Sequence, residues 1–326
     1  MKIVITGALG HIGSKLLRAL SILSPGAEII LIDNLLCQRY CSLFDLPPNA
    51  HYQFIEADIT ESKFNLEPVL NNADAVIHLA AITDATNSFK NADHVRNVNL
   101  TATEKISHAC INSNAPLIIA SSTSVYGSQN TQVDENCTEL KPQSPYAETK
   151  LLEEALVQST CKNDGLKAII FRFGTIFGTS PGMRFHTAVN KFCWQATMGT
   201  PLTVWETAYD QKRPYLALDD AIKAIWHFIK HQHFDGGIYN VVSQNATVRD
   251  VVEKIRMHIP NVKLNFVKSQ IMNQLSYEVL NTQLDKLGLQ LTGQLSDGIR
   301  DTIDLLHAAN TAPIQIQTIP QTAKAP

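Results

Sequence analysis

The chain has 326 residues, is 44% hydrophobic and 17% charged, and carries a formal net charge of −3. That composition fits a folded protein with one large or two modest cores and excludes a disordered or fibrous chain. The near-neutral balance offers no basic face for nucleic acid or an anionic membrane, so a small molecule is the default partner.

The opening "MKIVITG" reads as a buried strand, and no run of about 18 apolar residues follows that would span a bilayer. A soluble, cytoplasmic protein is expected. Further short apolar runs recur along the first half of the chain: "AEIILID", "YQFIEAD", "DAVIHLAA", "PLIIASS" and "KAIIFRFG". Continuous rather than alternating hydrophobicity predicts strands covered on both faces, hence an α/β fold with a doubly wound parallel sheet. Later, "DDAIKAIWHFIKHQ" places Ile222, Ile225, Trp226 and Ile229 on one helical face, and "GGIYNVV" follows as a strand. The expected division is a dinucleotide-binding domain over 1–174 plus 214–244 and a smaller mixed α/β substrate lobe over 175–213 plus 245–308. From about 309 the sequence is rich in Ala, Thr, Gln and Pro, with few bulky apolar groups, and reads as a disordered tail.

Six cysteines, at 37, 41, 110, 137, 161 and 193, are scattered without a CxxC pair. A chain of this length can be held by its core, so free thiols are expected. Cys37 and Cys41 could meet across one helical turn, but no histidine pair of ligand spacing accompanies them, and no metal is expected.

In "TGALGHIGSK", Gly7, Gly10 and Gly13 lie between the first strand and a helix carrying Leu16, Leu17 and Leu20. A turn there must bend sharply, let backbone approach a pyrophosphate and let helix pack on strand, and a side chain would obstruct each of these. Asp33 ends the second strand 20 residues after Gly13, where a carboxylate can accept hydrogen bonds from ribose hydroxyls and would repel a 2′-phosphate. NAD is therefore expected over NADP.

In "SPYAETK", Ser144 is a good N-cap and Pro145 a good first helical residue, so Tyr146 and Lys150 share a helix face. The ammonium should pull the phenol's pKa down from its usual value of about 10, fitting Tyr146 to take a proton from an alcohol. A hydroxyl from Ser121, Ser122, Thr123 or Ser124, in "IIASSTSVYG", could hydrogen-bond the reacting oxygen.

Together these residues resemble the extended short-chain dehydrogenase/reductase family, and within it the NAD-dependent nucleotide-sugar epimerases and dehydratases typified by UDP-galactose 4-epimerase. The likeness runs over roughly residues 1–307. It implies a phosphate loop in "TGALGHIGS", including His11 and Ile12, a ribose acid and its neighbour in Asp33 and Asn34, and an adenine contact at Asp58 and Ile59 in "EADIT". It places Leu79, Ala80 and Ala81 of "HLAA" and Asn99 of "NVNLTAT" beside the coenzyme. Counting four back from Tyr126 selects Ser122, with Tyr146 and Lys150, as the catalytic set.

Thr83, Thr123, Ser124 and Thr175 then fall on the substrate side. "QKRPYLALDDA" nominates Arg213 for the substrate diphosphate, while Asn190 in "AVNKF" and Val204-Trp205 in "PLTVW" fall where the resemblance implies contacts to the nucleotide base. Departures are also present: Thr123-Ser124 stands where 4,6-dehydratases carry Asp-Glu, Thr175 where asparagine is usual, Leu275 where an arginine is common, and "ETAYDQK" in place of a Gly-Asp-Gly turn. The resemblance implies epimerisation of a nucleotide sugar at C4 through a keto sugar, in a homodimer paired through the helix around "HVRNVNLTATEKISHAC" and the one after Tyr146. The rivals are an NAD(H)-dependent reductase or dehydrogenase of a 4-keto sugar nucleotide or other secondary alcohol, and a non-catalytic dinucleotide-binding protein.

Overall fold

The computed structural model describes residues 1–83, 85–268 and 276–309. In chain order it contains β1 Lys2–Thr6, α1 His11–Leu23, β2 Glu28–Asp33, β3 His51–Glu56, α2 Glu67–Leu70, β4 Ala75–His78, α3 Ala85–Ser88, α4 Ala92–Asn112, β5 Leu117–Ser122, α5 Pro145–Asp164 and β6 Ala168–Phe173. The second half adds β7 Thr175–Phe177, α6 Ala188–Thr197, β8 Leu202–Trp205, β9 Lys212–Ala217, α7 Leu218–His231, β10 Ile238–Val241, β11 Gln244–Thr247, α8 Val248–His258, β12 Leu264–Val267, α9 Thr282–Lys286 and α10 Leu295–His307.

Seven strands form one sheet in the order β10-β6-β5-β4-β1-β2-β3. Each of its pairings is parallel. Strands inside the sheet are buried on both faces and largely apolar, as in Ile3, Val4 and Ile5 of β1, whereas β3, expected to be covered on both faces, lies at the edge and has only exposed and half-buried residues. On one face Leu16, Leu17 and Leu20 of α1 pack with Ile222, Ile225, Phe228 and Ile229 of α7. Trp226 sits at the edge of this cluster, half-buried. On the other face Ile106, Ala109 and Cys110 of α4 meet Val157 of α5 and Leu70. Strand order reverses direction between β1 and β4, and the crevice that opens at their carboxyl ends is where such sheets take ligands.

Strands β11, β9 and β7 form a second sheet, and β12 pairs with β8. Their side chains share a core with α6, α8 and α10, built on Phe177, Val189, Tyr215, Val252 and Ile299. This unit meets the large sheet through the first turn of α1. There His11 Nε2 lies 2.8 Å from the Gly178 carbonyl, and the Gly182 amide donates to Ser14 Oγ at 2.9 Å.

Glu154 of α5, fully buried, takes Arg172 of β6 in two hydrogen bonds, at 3.0 and 2.7 Å, and Ser121 of β5 at 2.5 Å. Arg172 also donates to the Tyr126 hydroxyl, which donates to Asn240 of β10. The six cysteines are free thiols. No helix among the described residues is long and apolar enough to cross a membrane. Leu275 and residues 310–326, which cover all but the first residue of the expected tail, lie outside the described residues.

Candidate active site

A cavity of about 850 Å³ opens at the carboxyl ends of the large sheet. Its floor is the turn from β1 into α1. Gly7 has φ +64°, and a Cβ there would lie 2.6 Å from the Ala80 nitrogen; at Gly13 a Cβ would lie 2.5 Å from the Ala8 carbonyl oxygen. Neither position has room for a side chain, so the loop lies flat against β4 and leaves its backbone to the cavity. Gly10 caps α1 without a side-chain hydrogen bond, so the helix presents unpaired N–H groups and its positive end to whatever enters.

The shape suits a dinucleotide. Gly7, Gly10, His11, Ile12 and Gly13 line the cavity, as do Asp33 and Asn34 at the end of β2 and Asp58 and Ile59 after β3. Asp33 accepts the Leu9 and Leu35 amides at 3.0 Å each, which fixes the carboxylate at the rim and leaves lone pairs for a diol. Asn34 is held by Asp58 at 3.0 Å. Leu79, Ala80 and Ala81 form the opposite wall. Asn99 does not line the cavity; its buried amide clamps the Ile82 backbone through both groups, at 2.8 and 3.1 Å, and so holds the loop that does.

Ser122, Tyr146 and Lys150 converge on the same cavity. Ser144 caps α5 by accepting the Ala147 amide at 3.2 Å, and Ser88 accepts the Tyr146 amide at 3.3 Å, so the first turn of α5 is fixed at both sides. Ser122 Oγ receives Ser124 N at 3.2 Å and Ser124 Oγ at 2.9 Å, and shares a hydrogen bond with the Tyr146 phenol. The Lys150 ammonium lies 5.9 Å from the Tyr146 ring centre.

The sequence predicts a phenol acidified by that ammonium. In the structure the net direction is the reverse: burial raises the Tyr146 pKa, Lys150 lowers it, and Glu153 raises it again. The pull of Lys150 is real but does not win, because desolvation disfavours the phenolate and a carboxylate stands beside the ammonium. Lys150 itself is buried; desolvation works against its charge, but Glu153 and Tyr146 more than offset that and raise its pKa. His78, behind them, has its pKa lowered to about 3, by burial and then by Lys150, and stays neutral.

At the other end Thr83, Thr123, Ser124, Thr175, Trp205 and Arg213 line the cavity. Thr123 donates to the Phe173 carbonyl at 3.3 Å, and Thr83 is hydrogen-bonded by Arg184. Asn190 and Val204 do not reach it. Val204 is buried in the smaller core, and Asn190 holds the 178–184 loop by donating to the Arg184 carbonyl at 2.9 Å. A polar residue in "AVNKF" looks alike from sequence whether it faces a ligand or a loop.

Sequence reasoning missed Arg184, His186, Lys191 and Tyr277, all in the wall. For Arg184 and His186 charge was the only signal, and it carries no direction in an irregular segment; Lys191 lies on α6 and Tyr277 before α9, and neither stands in a motif that points to a ligand. Arg213 Nη2 and the Tyr215 hydroxyl are buried with no hydrogen-bond partner, which marks this end as built for a polar, anionic group. Among the described residues no cluster of three or more His, Cys, Asp or Glu could hold a metal.

Comparison with known proteins agrees with this geometry. The sequence model of the NAD dependent epimerase/dehydratase family matches residues 3–241. The chain is 31% identical over 265 residues to the uncharacterized UDP-glucose epimerase YtcB of Bacillus subtilis, covering 78% of this chain and 81% of that one. It is 29% identical over 316 residues to a trifunctional UDP-glucose 4,6-dehydratase/UDP-4-keto-6-deoxy-D-glucose 3,5-epimerase/UDP-4-keto-L-rhamnose-reductase of Arabidopsis thaliana, covering 93% of this chain but only 46% of that protein. Among solved structures, UDP-glucuronic acid 4-epimerase from Bacillus cereus, in complex with UDP-glucuronic acid and NAD, superposes with a TM-score of 0.84 at 27% identity. That match covers 95% of this chain and all of the other.

Proposed function

Because the chain belongs to the NAD dependent epimerase/dehydratase family, we propose that it is an epimerase that inverts C4 of a nucleotide sugar through a transient 4-keto sugar. Its coenzyme is NAD, which when bound supplies a hydride acceptor and returns the hydride. The glycine turn and the α1 amino end would hold the pyrophosphate, Asp33 the adenosine ribose, and Leu79 to Ala81 the wall beside it. Tyr146 takes the C4 hydroxyl proton, Ser122 steadies the oxygen as it becomes a ketone, and Lys150 keeps positive charge beside the phenol. Arg213 takes the diphosphate, with the expected substrate lobe (175–213 and 245–308) carrying the nucleotide. The same reading pairs α4 and α5 of two copies in a homodimer.

The observation that carries the proposal is the convergence of Ser122, Tyr146 and Lys150 with the glycine turn in one cavity whose far end holds buried, unpartnered Arg213 and Tyr215 atoms. Thr123-Ser124 supports inversion over 4,6-dehydration, since no carboxyl pair follows Ser122 to carry protons between C5 and C6. One observation favours a second reading, net reduction of a 4-keto sugar: a phenol whose pKa is raised holds its proton and suits protonation of a ketone.

Purified protein with NAD and a panel of nucleotide sugars separates the two. Epimer seen by NMR without net NADH is expected; stoichiometric consumption or formation of NADH would select the second reading, and no turnover of any panel member would reject both. Tyr146→Phe should lower kcat by roughly 10²–10⁴-fold while leaving NAD binding near wild type, since it removes the proton carrier and keeps the ring.

A further inference from the structure

We propose that Glu153 is a positioning residue for Lys150: it anchors the ammonium and thereby sets how tightly Tyr146 holds its proton. The inference rests on the reading of Tyr146 and Lys150 given above. Glu153 lies three residues beyond Lys150 on α5, with Lys150 Nζ 2.8 Å from Glu153 Oε2, and both side chains are buried. The Thr103 hydroxyl of α4 approaches the same oxygen at 3.4 Å. The other oxygen, Oε1, is buried and has no hydrogen-bond partner.

The neighbouring carboxylate shows why this matters. Glu154 has both oxygens bound, by Arg172 and Ser121, and serves to tie α5 to β5 and β6. Glu153 ties no strand. A buried carboxylate that is half satisfied is costly unless a cation compensates it, and the close cation is the site lysine. The contact therefore favours the charged form of Lys150 and holds it in place.

An ammonium in contact with a carboxylate projects a weaker field than a free one, because the two charges oppose at any third group. Tyr146 is that third group. Facing it are Lys150 and Glu153 from α5, Arg184 from the loop after β7, and the Ser122 hydroxyl from β5. Facing Lys150 are Glu153, Tyr146 and Glu154 from α5, and His78 from β4, which is neutral. Glu153 is thus the nearest negative charge to the phenol–ammonium pair, and its charge favours the protonated phenol.

The test titrates Tyr146 in the protein without sugar, as the near-ultraviolet tyrosinate absorbance of each protein minus that of its Tyr146→Phe counterpart. In Glu153→Gln the midpoint should move to lower pH, because the opposing charge is gone. An unmoved midpoint, or one shifted to higher pH, would overturn the proposal, since a merely structural carboxylate would not change the phenol in this direction. Should circular dichroism show that Glu153→Gln does not fold, Glu153→Asp decides: the charge is kept but drawn back by one methylene, so a smaller shift in the same direction is expected and no shift refutes. The titration needs neither sugar nor turnover. Its failure would leave the epimerase proposal standing, and a failed sugar panel would leave this one standing.

Discussion

At the residue scale, the site depends on positions where a single atom is too many. Gly7 combines φ +64° with the Ala80 backbone within 2.6 Å of any Cβ, whereas Gly26 has φ +79° and nothing within 4 Å. Gly26→Ala should cost only the left-handed backbone penalty, about 1–2 kcal/mol. Gly7→Ala should cost more in urea unfolding, and should also lose NADH binding by fluorescence, since the loop must lift from β4. Equal losses in the two variants would show that the close approach does not matter. The role of these glycines was legible in "TGALGHIGSK", because only a tight strand-to-helix turn explains three of them in sequence. The fate of Asn190 was not legible, because facing a loop instead of a ligand depends on where residues 178–184 fold back.

At the element scale, α5 bears Tyr146 and Lys150, and its first turn is fixed by capping. Ser144 accepts the Ala147 amide, Pro145 occupies the first helical position, and Gly165 closes the helix in the left-handed conformation at φ 73°. Ser144→Ala should lower stability by about 1 kcal/mol, seen as a lower urea midpoint with unchanged slope. It should also reduce kcat more than it raises KM, because the turn that loosens is the one bearing Tyr146. An unchanged kcat would show that Ser88 alone positions the turn. The start of this helix could be read from "SPYAETK". Strand β9 could not, because Pro214 within it argues against a central strand, yet β9 lies between β11 and β7.

At the scale of the whole molecule, two histidines are buried neutral at the seams. His11 joins the α1 turn to Gly178 and has its pKa lowered to about 4, by burial and then by Arg184 and Arg39 against the lift of its backbone hydrogen bond. His78 lies at the cavity beside Tyr146 and Lys150, its pKa lowered to about 3. Both native values fall below the ordinary 6.5, so the unfolded chain binds more protons between them. Stability should be full above pH 6.5 and decline as the pH falls from there through about 4, with a slope of up to about 1.36 kcal/mol per pH unit for each group. Urea unfolding across that window should show it, and His11→Asn should flatten the slope. A profile flat down to pH 4 would mean the histidines are protonated without cost.

Sequence by itself determined the parallel sheet, the glycine turn, Asp33 at its strand end and the Tyr146–Lys150 helix. Each of these is a local pattern: a run buried on both faces, a turn that excludes Cβ, a cap followed by a spacing of four. Only the tertiary structure decided that burial and Glu153 outweigh Lys150 at the phenol, that Arg184, His186, Lys191 and Tyr277 join Arg213 in one wall, and that Asn99 and Asn190 hold loops. Desolvation and long-range charge depend on which distant segments close over a group, and no window of sequence contains them.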